Sequence, residues 1–418
     1  MKKRILVLNC GTHASCDFNS LLKDNAEYEV WGASTQSNHG EFVYKNYIND
    51  IPNMNEENFI EVLNEKIEKY NFKLLIATHE DLILFLQKNQ QKINATVCHS
   101  CLETAELCRY KSKTYNVIKD YDFCPIVYSS KKEISKYPIF IKKDEDQGSR
   151  HAYKILNEKD FDNKYNEDMV ICEYLPGEEV TCECFTNKNG KLLFLNARRT
   201  DRMLAGIDVR AVKIEVNNEI QNIAEKLNEK ISFRGIWFFQ IKKDANGKFK
   251  LLEISTRFPG SFSFTEALGV NLPYLVCKEF DNKSINKIIV NNLDIEMDQQ
   301  FFSRFKINLK YDIVYIDIES CFNKKNVNPL LMMFIYQSVN NHKKIIGILN
   351  DNKKKIIYTK KISLDLFDEF MNMKLFMKQK EKNAILISDD LELNDWSKIN
   401  QISSFEINQV NCLIDWRG

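Results

Sequence analysis

The chain has little of what would mark several common protein classes. Of its 418 residues only 13 are glycine and 7 are proline, and neither type gathers into a flexible linker, a low-complexity tract or a repeat. Histidine is scarce at 6, which narrows the ligand sets open to a transition metal. Lys plus Arg (59) against Asp plus Glu (58) leaves a net charge of +1, so the basic excess of a protein that binds nucleic acid through its phosphates is missing. No apolar run approaches the roughly 18 residues needed to span a bilayer, and the most suggestive stretch, Pro329 to Tyr336, is far shorter. The start, MKKRILVLNCG, is basic, but its apolar stretch runs at once into Cys10, Gly11, Thr12 and His13, which is a first β-strand rather than a secretory leader. The expectation is a soluble cytoplasmic protein without a membrane or nucleic-acid partner.

A hydrophobic content of 44% supports globular folding, and the length implies two or three domains. Twelve cysteines without a leader point to reduced thiols in a reducing compartment. Cys98-His99-Ser100-Cys101 has half the look of a zinc site, yet no second pair follows at suitable spacing. Cys182 and Cys184 share one strand face, as packing residues would.

The first hundred residues alternate strands (Arg4 to Asn9, Glu29 to Ala33, Lys73 to Thr78) with an amphipathic helix from Glu56 to Tyr70, the pattern of a parallel sheet with helical crossovers. The turn Asn9 to Ser15 has one glycine where a dinucleotide fingerprint needs three, and is not a cofactor site. Polar residues at the strands' carboxyl ends, Ser34, His39, His79 and Glu80, are substrate-contact candidates or plain loop caps. From Glu103 the pattern becomes a helix (Thr104 to Lys119), strands Ile126 to Tyr128 and Ile139 to Lys143, and an antiparallel meander from Met169 to Asn196. A helix, Asn218 to Ile231, follows. A third pattern begins at Tyr311.

Within this frame one segment carries the strongest chemical signal. In Gly235 to Gly260 the turn Asp244-Ala245-Asn246-Gly247 joins two apolar strands and sets Gln240 against Glu253, two oxygen ligands suited to Mg²⁺ beside a nucleotide phosphate. Glu253-Ile254-Ser255-Thr256-Arg257 places a fixed cation close to that pair. Upstream, Lys142 ends a strand before Gln147-Gly148-Ser149-Arg150, a loop able to cradle phosphates, and Lys111 opens a helix and supplies a second cation.

This ordered set, with Glu173-Tyr174-Leu175-Pro176-Gly177-Glu178-Glu179 between, resembles the ATP-grasp superfamily over Glu103 to about Val276, in particular its carbamoyl-phosphate synthetase and biotin carboxylase branch. The resemblance implies mixed α/β and α+β architecture: a Rossmann-like pre-ATP-grasp domain at 1–103, an ATP-grasp domain at 104–305 and a third domain at 306–418. It implies ATP and Mg²⁺ (or Mn²⁺) as cofactors. Lys111 and Lys142 would be the phosphate cations, Gln147, Gly148 and Ser149 the covering loop, and Glu173, Tyr174 and Leu175 the adenine-reading backbone. Glu179 would accept from ribose hydroxyls. Gln240, Glu253 and Ser255 would hold the metal, and Arg257 would steady the acyl-phosphate and its tetrahedral successor, with Lys142 and Arg199 as the other catalytic residues. Arg198 and Lys213 would lie toward the acceptor with Arg199. Two departures stand out: Ser255 occupies the place of the family's asparagine ligand, and Asp144, Glu145 and Asp146 put negative charge beside the phosphate loop.

In the last region, Asp317-Ile318-Glu319-Ser320-Cys321 and Ser388-Asp389-Asp390 resemble the nucleophile and metal motifs of haloacid dehalogenase-like phosphatases. Glu319 stands where the acid-base aspartate belongs and Leu349-Asn350 where a phosphate-holding hydroxyl belongs, which implies a domain of this fold without phosphatase activity. Trp416, Leu413 and Ile414 would pin the terminus as core residues. The leading expectation for the whole is an ATP-dependent ligase that activates a small-molecule carboxylate as an acyl-phosphate and joins it to an amine or similar nucleophile. The alternatives are an ATP-binding sensor or scaffold without chemistry, or a phosphatase working through Asp317. A homodimer is the default oligomer.

Overall fold

Strand β1 (Lys3–Leu8, KRILVL) buries its last four residues on both faces, as a central strand of a parallel sheet must. The computed structural model describes residues 2–145, 151–204, 207–300, 303–305, 307–322, 327–350, 362–379, 381 and 383–417. β1 pairs in parallel with β2 (Tyr28–Ala33) and β4 (Phe72–Ala77), and β3 (Asn46–Ile48) and β5 (Thr96–Val97) complete the order β3-β2-β1-β4-β5. Helices His13–Leu22, Phe59–Tyr70 and Glu80–Lys88 connect the strands. At the carboxyl ends of β1 and β4 three hydroxyls close on one another: Thr12 Oγ1, Ser15 Oγ and Thr78 Oγ1 lie pairwise at 2.8 Å.

The single helix expected from Thr104 to Lys119 is two, Leu102–Arg109 and Lys111–Ile118. Tyr110 separates them in an extended conformation, with φ −104° and ψ 115°. The second helix begins where Asp144, distant in sequence, receives the Ser112 backbone N–H (2.7 Å) and hydroxyl (2.6 Å), a carboxylate at the positive end of the helix.

Two antiparallel sheets follow. β6 (Val127–Tyr128), β7 (Ile139–Lys143), β8 (Ala152–Ile155) and β9 (Met169–Glu173) form the order β6-β9-β7-β8. β10 (Glu179–Thr186), β11 (Leu192–Leu204), β12 (Ile207–Ile214), β13 (Gly235–Lys243), β14 (Phe249–Ser255) and β15 (Glu296–Asp298) form β14-β13-β10-β11-β12-β15. The β13–β14 hairpin therefore joins the meander on the far side of β10. Helix Asn218–Lys230 covers this sheet with Ile220, Ile223, Ala224 and Leu227, spaced for one helical face. Trp237 stacks on Phe233 at 3.8 Å between centroids, and Cys182 and Cys184 are fully buried in the same core. Gly235 opens β13 with φ +79°, and a Cβ there would lie 2.9 Å from the Phe280 ring.

The chain divides into two compact units, the first ending at Phe301 and the second spanning Phe302–Arg417. In the second, β16 (Ile313–Asp317), β17 (Lys344–Leu349), β18 (Glu369–Asn372), β19 (Ala384–Ile387) and β20 (Ser403–Phe405) are all parallel in the order β18-β17-β16-β19-β20. Pro329 to Tyr336 belongs to an amphipathic helix, Pro329–Asn340, which buries Leu331, Phe334 and Ile335. Ile414 is buried in this unit's core, and Leu413 and Trp416 pack against it. No helix among the described residues is long and apolar enough to cross a membrane.

Arg198 and Glu183 form an ion pair at 2.8 Å with neither side chain exposed. Asn196 donates to the other Glu183 oxygen at 3.0 Å, and Arg198 donates to the Gly260 carbonyl at 2.5 Å. Arg198→Ala strands the Glu183 carboxylate inside the sheet, and urea unfolding should show a loss of about 3–5 kcal/mol. Replacing both residues by Met and Leu should cost much less.

Candidate functional site

The site begins with an irregularity in β14. Phe238 pairs with Ser255 and Gln240 with Glu253, but the next pair is Ile241 with Leu251, so Leu252 is an extra residue. A bulge of this kind shifts the strand's in–out phase. Phe249 and Leu251 consequently pack in the core with Ile241, while Glu253 turns to the opposite face beside Gln240. The bulged carbonyl is held from two directions: the Tyr115 hydroxyl and the Lys142 ammonium each donate to Leu252 O at 2.7 Å. Lys142 lies on β7, between β8 and β9.

A cleft opens over this bulge with about 800 Å³ of atom-free space, part of it open solvent. Lys111 and Lys142 line it, together with Glu173, Tyr174, Leu175, Glu179, Gln240 and Glu253. Eight residues named from the sequence thus converge, although they come from four separate stretches of chain. Lys111 is 8% exposed and its ammonium donates to Asp144 O at 3.2 Å. Asp144 itself is engaged as the helix cap, so it does not stand as loose negative charge against phosphates. The Glu173 carboxylate accepts from the Ile126 N–H at 2.8 Å, and Glu179 pairs with Lys242 at 3.1 Å. Gln240 donates to Thr181 Oγ1 at 3.2 Å.

Burial dominates the electrostatics. It pushes Lys142 below its ordinary range, with neighbouring Lys111 adding to the fall. It pushes Glu253 above the usual carboxylate range, and the pull of Lys111, Arg257 and Lys142 in the opposite direction does not cancel it. A carboxylate in that condition gains most from a cation brought directly against it.

Ser255 and Arg257 do not line the cleft. The Ser255 hydroxyl donates to Glu80 at 2.6 Å, and Arg257 Nε lies 3.3 Å from the same carboxylate. Arg257 also stacks 5.0 Å over Phe238. Arg199, on β11, is partly exposed and pairs with Asp201 (2.6 Å) and Glu178 (3.6 Å). Its neighbour Arg198, expected to face an acceptor, instead points into the sheet toward Glu183. Lys213 donates to Leu293 O at 2.8 Å. Gln147, Gly148 and Ser149 lie outside the described residues.

His99 accepts from the Ala77 N–H through Nε2 at 3.0 Å, which puts its own proton on Nδ1, and burial pushes its pKa down to about 4. Among the described residues no group of three or more His, Cys, Asp or Glu side chains is arranged to hold a metal ion. In the second unit, Asp317 is 3% exposed, accepts from Ser388 Oγ at 2.8 Å, and is pushed upward by burial. Asp389 accepts from the Ile407 N–H at 2.9 Å, and Asp390 caps helix Leu391–Ile399.

Residues 165–300 match a family model described as ATP-grasp in the biosynthetic pathway with Ter operon. No curated protein sequence matches the chain. Among solved structures, N5-carboxyaminoimidazole synthetase from Staphylococcus aureus with ADP is similar at TM-score 0.57 and 15% identity, covering 69% of this chain and 80% of that one. The biotin carboxylase domain dimer of Hydrogenobacter thermophilus 2-oxoglutarate carboxylase, with MgADP, ADP and bicarbonate, gives 0.56 and 16%, covering 68% and 71%. An L-amino acid ligase from Bacillus licheniformis gives 0.53 and 14%, covering 67% and 74%. These likenesses show a shared fold.

Because the folded state holds Glu253 protonated to higher pH than the unfolded chain does, its contribution to stability is complete below the ordinary carboxylate pKa. It is lost as pH rises through the folded value. Glu253→Gln cannot ionise, so the melting temperature of the unliganded variant should exceed that of wild type by a margin that opens as pH increases. Thermal scans from pH 4 to 8 measure this.

Proposed function

We propose that the protein is an ATP-dependent ligase that activates a small-molecule carboxylate and transfers it to an amine or similar nucleophile. The observation that carries this reading is the convergence of two buried lysines, Lys111 and Lys142, with the Gln240–Glu253 pair in one cleft. ATP-dependent carboxylate–amine ligation in general also fits the structural neighbours, one of which is named as an amino acid ligase.

Nucleotide phosphates would replace Asp144 O and Leu252 O as partners of the two ammonium groups. The chain at Glu173–Leu175 would present backbone to the adenine edge, and Glu179 would exchange Lys242 for ribose hydroxyls. Gln240 and Glu253 suit Mg²⁺: two oxygens face one region, and burial leaves the carboxyl in want of a cation. When bound, Mg²⁺ supplies neutralisation of phosphate charge. Ser255, committed to Glu80, would not be a direct ligand of that ion. In the first half-reaction a substrate carboxylate oxygen bonds to the γ-phosphorus and the bond to ADP breaks. In the second the nucleophile attacks the acyl carbon, loses a proton and expels phosphate. Arg257 is the cation suited to the charge on the carbonyl oxygen between these steps, and Arg199 to the acceptor side.

We assign residues 1–103 as the Rossmann-like domain, 104–305 as the ATP-grasp domain and 306–418 as a haloacid dehalogenase-like domain without its chemistry. The engagement of Asp389 and Asp390 in backbone capping supports that last assignment.

Calorimetry should register MgATP binding by wild type and its loss in Lys142→Ala. Glu253→Gln should retain its circular dichroism spectrum while ADP release against a panel of carboxylates and amines falls by about 10²-fold or more. Unchanged turnover in Glu253→Gln would falsify the assignment.

A further inference from the structure

Glu80 is the first residue of helix Glu80–Lys88, just beyond the end of β4, and only 14% of its side chain is exposed. Its carboxylate gathers three groups that are distant in sequence. Ser255 Oγ donates to Oε1 at 2.6 Å, Arg257 Nε stands 3.3 Å from the same oxygen, and Arg109 Nη1 stands 3.5 Å from Oε2. Neither Arg257 Nε nor Arg109 Nη1 has a hydrogen bond of good geometry among the described residues, so both are held chiefly by charge. Arg109, 8% exposed, is tied further to Asp81 at 2.8 Å.

The remaining contacts of Arg257 do not fix its direction alone. Phe238 offers a flat ring face at 5.0 Å, which tolerates rotation of the guanidinium in its plane, and Phe258 O accepts from Nη1 at 3.0 Å. Glu80 therefore supplies the charge that sets the Nε edge. The same carboxylate takes the Ser255 hydroxyl, which ties down the other polar side chain of the Glu253-Ile254-Ser255-Thr256-Arg257 string besides Glu253. We infer that Glu80 is a positioning residue for the acyl-transfer step, holding Arg257 and Ser255 in their working orientation from outside the antiparallel sheets. This inference rests on the ligase reading above. Glu80 reaches the site through Ser255 and Arg257, and its charge also bears on Glu253, where it adds to the upward push of burial.

The test uses the full chain as wild type, Glu80→Gln, Glu80→Asp, Arg257→Ala and the double variant Glu80→Gln/Arg257→Ala. MgATP binding is read by calorimetry. MgATP hydrolysis is read in water and with a panel of amino acids and other carboxylates. Glu80→Gln should bind MgATP within about threefold of wild type, with KM for ATP unchanged and kcat reduced by about 10²-fold, the scale of a misplaced catalytic group. The double variant should be no slower than Arg257→Ala alone, and Glu80→Asp should recover part of kcat. Unchanged kcat in Glu80→Gln, or losses that multiply in the double variant, would overturn the positioning role while leaving the ligase reading intact. Weakened MgATP binding in Glu80→Gln with kcat preserved would overturn it as well. A wild type that fails to bind MgATP, or binds it and turns none over across the panel, would overturn both.

Discussion

One carbonyl oxygen organises the candidate cleft of this protein. Leu252 O exists as a free acceptor only because β14 carries one residue more than its partner strand, and it receives both a neutral hydroxyl and an ammonium. The first bond is worth about 1 kcal/mol and the charge-assisted one about 1.5–3 kcal/mol. The three segments they join are the helix Lys111–Ile118, strand β7 and strand β14. Were the same sequence to run as a regular strand without the bulge, Glu253 would share the face of Leu251 and enter the apolar core. The bulge thus determines both where the carboxylate points and how the lysine is anchored.

Around that point the protein accepts an electrostatic cost. Lys142 and Glu253 are each driven toward their neutral forms by burial, and Lys111 adds like charge to the first. Such crowding is uneconomical in a protein that only needs to be stable. It becomes favourable when a polyanion and a divalent cation enter together, because each then meets a partner already stripped of water. The buried Arg198–Glu183 pair shows the contrasting arrangement, with charges balanced inside the sheet and no ligand required.

The hairpin that opposes Gln240 to Glu253 was legible in alternation and a turn, and so was the parallel β-strand pattern at the amino terminus. The bulge had only a faint signature, the adjacent Leu251 and Leu252, after which apolar positions change phase. Arg198 and Arg199 are neighbours on a strand, so alternation requires one to point each way. It does not say which, and the answer depends on Glu183 lying diagonally across on β10. Asp144 looked like charge opposed to phosphates because its partner, Ser112, is 32 residues away. Glu80 was visible only as a polar strand-end residue, since its partners Ser255 and Arg257 lie at and just beyond the end of a strand in a different sheet. What escaped the sequence in each case was a long-range pairing that local periodicity does not encode.

The hydroxyl cluster at the ends of β1 and β4 has a consequence for where ligands go. Open parallel sheets usually receive ligands in the crevice where strand order reverses direction, and β1 and β4 flank that crevice here. Thr12, Ser15 and Thr78 satisfy one another across it, with Ser15 and Thr78 almost wholly buried. The second unit repeats the device: Ser320 and Ser388 meet at 3.3 Å beyond β16 and β19, over Asp317. At both topological switch points, hydroxyls at the strand ends are thus already engaged with one another, so a ligand there would have to compete with internal hydrogen bonds.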